Sequence, residues 1–239
     1  MAGHGNGNGN GEEVKLLGIW FSPYVRRVAW ALELKGIDYE WVELSFRDPK
    51  NRSRSLLEHN PVLKRVPVLV HRGRPVVESL VIVEYIDETW RNNTVLPSDP
   101  YERAAARFWA NFVDQKITEV LIKLLSLTDK TQMEEEAKQA SKALEIVDRE
   151  LKAKGKKFFG GETIGLVDIA LSIVTNWMEA IEEVLDVRIF DSRTHPLIAQ
   201  WKTNFVEFVR HNLPPKDGLL RFYRRYHQSK IASVAPSRL

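Results

Sequence analysis

The 239-residue chain is predicted to fold as two domains, an α/β domain followed by an all-helical bundle. Three observations lead there. Short apolar runs of strand character occur only in about the first 90 residues. A polar stretch with two prolines, from Arg91 to Pro100, then interrupts the pattern. Beyond it, apolar residues recur only at helical spacing. The predicted organisation is a Gly/Asn tail at 1–13, the α/β domain at 14–91, a linker at 92–100 and the helical domain at 101–239.

In the first domain Leu16-Leu17-Gly18-Ile19-Trp20 is nearly continuous apolar sequence ending at Ser22-Pro23, as a strand buried on both faces requires. Val25, Val28, Ala29 and Leu32 recur at i, i+3, i+4 and i+7, and Lys35-Gly36 supplies a cationic last turn and a stop, so a helix follows. Tyr39 to Leu44 is the next strand. Strand, helix and strand in so few residues imply a parallel pair with a right-handed crossover. A polar loop from Ser45 to Ser53 and a short helical piece ending near Asn60-Pro61 come next. Val66 to Val70 and Pro75 to Val77 flank the turn Arg72-Gly73-Arg74 and form an antiparallel hairpin. Ile82, Val83, Ile86 and Trp90 then mark a helical face. The order βαβ followed by ββα is thioredoxin-like.

In the second domain, Ala105, Phe108, Trp109, Phe112 and Val113 trace one apolar helical face and Ala137, Ala140, Leu144, Val147 and Leu151 another. Ile164 to Met178 is apolar nearly all round, as expected of a central helix. Ile198, Trp201, Phe205 and Phe208 predict a further one, completing a bundle.

Composition narrows the chemistry. Hydrophobic residues make up 44% and charged ones 28%, and no uncharged apolar run approaches the roughly 18 residues of a membrane span. No membrane partner is expected. The net charge of +3 is spread among alternating acids and bases, so a nucleic-acid partner is not expected either. The tail lacks the apolar segment of a signal peptide, which predicts a cytoplasmic location. With zero cysteine the chain has no disulfide, thiolate metal site or thiol nucleophile of its own, so any sulfur chemistry must arrive with a ligand. The six histidines lack HxxxH or HExxH spacing, and no metal is expected.

Three short motifs could carry chemistry. Ser22 precedes Pro23 at a strand-to-helix junction, where unpaired backbone N–H groups and the helix dipole favour an anion and the hydroxyl can donate one more hydrogen bond. A Ser-Pro in this place also reads as a plain N-cap. Val66-Pro67 opens an apolar strand, where a cis peptide would turn the Val66 backbone toward an extended peptide-like ligand. Most X-Pro bonds are trans. Glu78-Ser79 stands where a strand gives way to a helix, with Ser79 at the expected N-cap, and the pair could recognise an amino-acid head group. A capped helix is the alternative reading. Arg52 in the polar loop could pair with a second carboxylate.

From about Val14 to about Tyr226 the chain resembles the tau class of plant glutathione transferases. The residues that carry this are Ser22-Pro23-Tyr24 with Arg26-Arg27-Val28, Asn60-Pro61-Val62, Val66-Pro67-Val68-Leu69, Glu78-Ser79-Leu80-Val81-Ile82, Glu84-Tyr85-Ile86-Asp87-Glu88, Leu96-Pro97-Ser98-Asp99-Pro100, Arg107-Phe108-Trp109 and Val167-Asp168-Ile169-Ala170-Leu171. Each run is short; their order and spacing are specific.

The resemblance implies an enzyme that needs no cofactor beyond glutathione as co-substrate. It would conjugate the glutathione thiolate to small hydrophobic electrophiles in detoxification, or turn it on a hydroperoxide oxygen. Ser22 would be the catalytic hydroxyl, Val66 the backbone partner of the cysteinyl unit, and Glu78 with Ser79 the clasp for the γ-glutamyl head. Arg52 falls where the family commonly has Lys, near the glycyl carboxylate. Trp20, Tyr24, Phe46, Thr118, Ile122, Trp177 and Phe222 are expected to line the hydrophobic co-substrate pocket. Glu88, Arg103 and Arg107 flank the linker and predict a homodimer. Gly165 stands where relatives have a capping Ser or Thr, so the capping box with Asp168 would be half present. The alternative function is a non-catalytic carrier of hydrophobic ligands on the same fold.

Overall fold

The computed structural model describes residues 13–44 and 49–234, with the side chains of 49–53 and of 234 outside the description. Backbone contacts divide the chain into two compact units, Met1–Leu96 and Pro97–Leu239.

The first unit is a four-stranded sheet in the order β2-β1-β3-β4, made of β1 (Val14–Gly18), β2 (Glu40–Glu43), β3 (Val68–His71) and β4 (Arg74–Val77). β1 runs parallel to β2 and antiparallel to β3, and β3 pairs antiparallel with β4. The two central strands are the ones with near-continuous apolar sequence and are almost wholly buried, while the edge strands are half-buried or exposed. Arg72 and Gly73 join β3 to β4 with φ of 51° and 74°, the pair of positive values that a two-residue hairpin turn of matching twist needs.

Helix α1 (Pro23–Lys35) packs with α3 (Ser79–Thr89). Buried Val25, Val28, Ala29 and Leu32 on α1 and Ile82, Val83 and Ile86 on α3 supply the apolar faces that the spacing predicted. Helix α2 (Pro49–His59) contributes Leu56 to a cluster with Leu17, Ile19, Leu44, Val68 and Val70. The polar loop expected at Ser45 to Ser53 is therefore helical from Pro49. This segment carries no apolar period until Leu56, so nothing in its pattern separated loop from helix. Two buried charges close the unit. Lys35 donates to Asp87 at 2.6 Å and to the Asn92 carbonyl at 2.5 Å, and Asp87 also accepts the N–H groups of Val95 and Leu96.

The second unit is helical: α4 (Pro100–Val113), a π turn at Asp114–Thr118, α5 (Glu119–Leu124), α6 (Lys130–Lys154), α7 (Leu166–Leu171), a 3-10 turn at Ser172–Val174, α8 (Asn176–Leu185), α9 (Pro196–Val209) and α10 (Lys216–Val234). The continuous helix expected over Ile164 to Met178 is instead broken in two. Thr175 leaves helical geometry at ψ −132°, its backbone N–H and hydroxyl both donating to the Ser172 carbonyl, and α8 starts anew at Asn176. The expected face of α6 is buried throughout. On α4 and α9 two expected core aromatics point outward instead: Phe108 is 60% and Phe208 44% exposed, while Ala110, Val113 and Val209 are buried.

Asp168 organises the approach to α7. Its carboxylate accepts the N–H groups of Phe159, Gly160 and Gly165 at 2.8–2.9 Å and the indole N–H of Trp201 at 2.7 Å. Burial, the larger influence, pushes this carboxyl up, and the four donors oppose it by solvating the ionised form. Gly165 has no side chain to return the bond, so the capping box is present only in its Asp168 half.

Candidate active site

Ser22 sits at the N-cap of α1 with extended backbone (φ −74°, ψ 121°), and Pro23 occupies the first helical position as expected. The position is set by close packing. A Cβ on Gly18 would stand 2.3 Å from a Val25 methyl, so the end of β1 can lie against the first turn of α1 only with glycine there. The Ser22 backbone N–H donates to the Ile19 carbonyl at 3.0 Å, and its Oγ accepts the Val25 N–H at 3.4 Å. That bond uses an acceptor lone pair, which leaves the hydroxyl proton to donate elsewhere. Ser22 is 9% exposed.

Two arginines follow, and they do different work. Arg26 donates through Nε and an Nη to the Trp20 carbonyl at 3.2 and 3.1 Å and lies over the Trp41 ring, so it fixes the loop that delivers Ser22. Burial holds its guanidinium below the ordinary arginine range. Arg27 is fully buried, stacks over Tyr24, and reaches across to the Ser79 hydroxyl at 3.4 Å. It thereby ties α1 to the first turn of α3.

At the start of α3 the expected cap moves by one residue: Glu78 is the N-cap, without a side-chain capping bond, and Ser79 is the first helical residue. Glu78 is exposed and has φ 70° with ψ 117°, outside the regions that a glutamate adopts at low cost. Strain of this kind, on the order of 1–3 kcal/mol, gathers at functional positions. Ser79 is buried beneath it.

The Val66–Pro67 bond is cis, as the strand-opening proline suggested, and Val66 is half-buried against the first unit's core. Sequence reasoning named Asn60-Pro61 as a helix end and gave Asn60 no part in the site, yet it shapes the approach to Val66. Its buried side chain donates to the Arg65 carbonyl at 3.0 Å and accepts the Leu63 N–H at 3.1 Å, folding the turn that Lys64 passes with φ 53°. An asparagine before a proline is the signal that could have found it.

Arg52 lies in the first turn of α2, with its side chain outside the described residues. Phe46 lies outside them altogether. Trp20 and Tyr24 are half-buried in the first unit, and Ile122 and Phe222 are half-buried in the second. Thr118 and Trp177 are each at 0% exposure and belong to the interior of the helical unit rather than to an accessible surface.

Comparison with known proteins gives a consistent result. Residues 21–89 match the family profile described as glutathione S-transferase, N-terminal domain, and residues 109–207 match the corresponding C-terminal domain. A probable glutathione S-transferase of Glycine max is 46% identical over 224 residues, covering 93% of this chain and 97% of that one. Glutathione S-transferase U8 of Arabidopsis thaliana is 46% identical over 212 residues, covering 87% and 92%. Among solved structures, a tau class glutathione S-transferase from mango aligns with a TM-score of 0.82 at 37% identity, over 90% of this chain and 98% of that chain. A rice glutathione S-transferase in complex with glutathione aligns at 0.81 and 29% identity, over 92% and 99%.

Proposed function

Because the chain belongs to the glutathione S-transferase family, in its plant tau class, and so conjugates glutathione, we propose that the Ser22 hydroxyl holds the glutathione sulfur as a thiolate. The observation that carries this is the Ser22 hydroxyl itself, capping α1 through a lone pair with its proton left to donate beside the helix N-terminus. A free thiol ionises near pH 8.5, and lowering that by about two units takes roughly 2.7 kcal/mol of preferential stabilisation. A hydrogen bond to a charged acceptor contributes about 1.5–3 kcal/mol, and the helix terminus adds about 0.3–1 kcal/mol. Together they suffice without a general base.

Glu78 would meet the ammonium and Ser79 the carboxylate of the γ-glutamyl head, with Arg27 positioning the Ser79 hydroxyl from below. Val66 would pair with the cysteinyl backbone, and Arg52 would take the glycyl carboxylate. The thiolate then forms a C–S bond to an electrophilic carbon of a small hydrophobic substrate, and the leaving group departs with its electron pair. Ser22→Ala tests the central assignment. Turnover at pH 6.5 is expected to fall by about 100-fold, equivalent to ~2.7 kcal/mol, with glutathione affinity little changed. Unaltered turnover overturns it.

A two-fold homodimer belongs to the same reading. Tyr101 and Phe108 are 79% and 60% exposed on α4, and Phe108 forms an aromatic cluster with Trp109 and Phe112. An exposed aromatic patch of this kind favours burial against a second copy, and Arg103 and Arg107 lie on the same helix. Sedimentation equilibrium at micromolar concentration is expected to give twice the chain mass, and a monomer would contradict the assignment.

A further inference from the structure

The helical unit carries a cavity of about 620 Å3 that none of the residues assigned above enters. Lys152, Lys156, Lys157, Gln200 and Asn204 line it, with Leu151, Leu197 and Trp201 as its apolar wall. The volume lies in the range of roughly 300–1,000 Å3 typical of small-molecule sites.

Its walls are fixed before any ligand arrives. Asp148 on α6 accepts the backbone N–H groups of Leu197 and Ile198, each at 2.9 Å, which pins α9 to α6. Asp168 pins the segment from Phe159 to Gly165 and, through Trp201, joins it to α9. That segment is closely folded. A Cβ on Gly160 would stand 2.5 Å from the Thr163 carbonyl oxygen and 2.6 Å from the Gly165 nitrogen. A pocket bounded by three mutually bonded segments loses little freedom on binding.

Its charge is one-sided: three lysines face a single acid, Glu162. Glu162 meets Lys156 at 3.7 Å with side-chain exposures of 75% and 57%, a loose pair that holds neither group strongly. The helix dipole accounts for Lys152 in the last turn of α6, but not for Lys156 and Lys157, which follow the left-handed Gly155 cap. Gln200 and Asn204, four residues apart on α9, add neutral amide donors on the facing wall.

We propose that this cavity binds a small organic anion with clustered negative charge, a phosphate ester or a polycarboxylate, through the three lysine ammoniums and the two side-chain amides. Pyridoxal 5′-phosphate is a suitable probe, because its phosphate seeks the lysines while its aldehyde condenses with a neighbouring amine. Water leaves as the imine forms, and borohydride reduces that imine to a stable secondary amine.

Peptide mapping of the labelled full-length protein is expected to find the label concentrated on Lys152, Lys156 and Lys157. Millimolar pyrophosphate or citrate should protect these lysines about tenfold, and S-hexylglutathione should not. The better protector distinguishes a phosphate from a carboxylate ligand. Replacing both Lys156→Gln and Lys157→Gln should weaken the protecting anion about tenfold, measured by calorimetry, and leave conjugation of a chlorinated nitroarene unchanged. Label spread evenly over surface lysines, failure of both anions to protect, protection by S-hexylglutathione, or unchanged anion affinity in the double variant would each overturn the assignment.

Discussion

Trp201 on α9 donates its indole N–H to Asp168 on α7 at 2.7 Å, and both residues are all but excluded from solvent. One carboxylate thus serves a side chain from one helix and three backbone N–H groups from the loop before another.

Removing either partner should therefore be costly in different degrees. Trp201→Phe keeps the ring packing but takes one donor from a buried carboxylate, a loss of about 1.5–3 kcal/mol. Asp168→Ala strands four donors, three of them buried, and should cost more, in excess of about 3 kcal/mol, or prevent folding of the helical unit. Urea unfolding followed by circular dichroism measures both. Equal stabilities for the two variants would show that the loop N–H groups find water when the carboxylate is gone.

A second buried charge supports the first unit. Lys35→Met leaves Asp87 with its two backbone donors but without a cation, and breaking a buried pair of this kind typically costs about 3–5 kcal/mol. Lys35→Met with Asp87→Leu should recover part of the loss. A double variant no more stable than the single one would show that the backbone bonds of Asp87 to Val95 and Leu96 matter more than its charge.

Glu78 is proposed to act on binding rather than on chemistry. Glu78→Gln keeps the side-chain shape and deletes the charge offered to the ammonium, so the glutathione KM should rise about tenfold or more while turnover at saturation holds. The KM for the hydrophobic co-substrate should stay near its original value. Collapse of turnover with KM unchanged, in a protein folded by circular dichroism, would move Glu78 into the chemical step.

The sheet, the helix after it and the position of Ser22 were legible because each has a local cause: continuous apolar runs, i, i+3, i+4 spacing, a Ser-Pro junction. What escaped lacked one. The cap of α3 shifted to Glu78 because the backbone there takes a positive φ that no glycine announces. Phe108 looked like core by spacing, yet the face toward the bundle interior is built from the smaller Ala110 and Val113. Thr175 breaks a run of apolar residues through a hydroxyl-to-carbonyl bond that propensity does not register. The link from Arg27 to Ser79 joins positions 52 apart, and periodicity holds no information at that range.

The π turn between α4 and α5 bears on how such a chain can diversify. Over Asp114–Thr118 the helix is wound one residue per turn too loosely, closing with the Glu119 N–H on the Asp114 carbonyl. Deleting a single residue there would let α4 and α5 run on as one regular helix. Every side chain after the deletion would keep its direction about the axis, because Glu119 would still close one turn over Asp114, now as i+4 instead of i+5. Ile122 would stay half in the interior of the helical unit, where it stands now. One codon can thus be gained or lost at this point without re-aiming α5, whereas the same change inside a regular helix would turn every later side chain by about 100°.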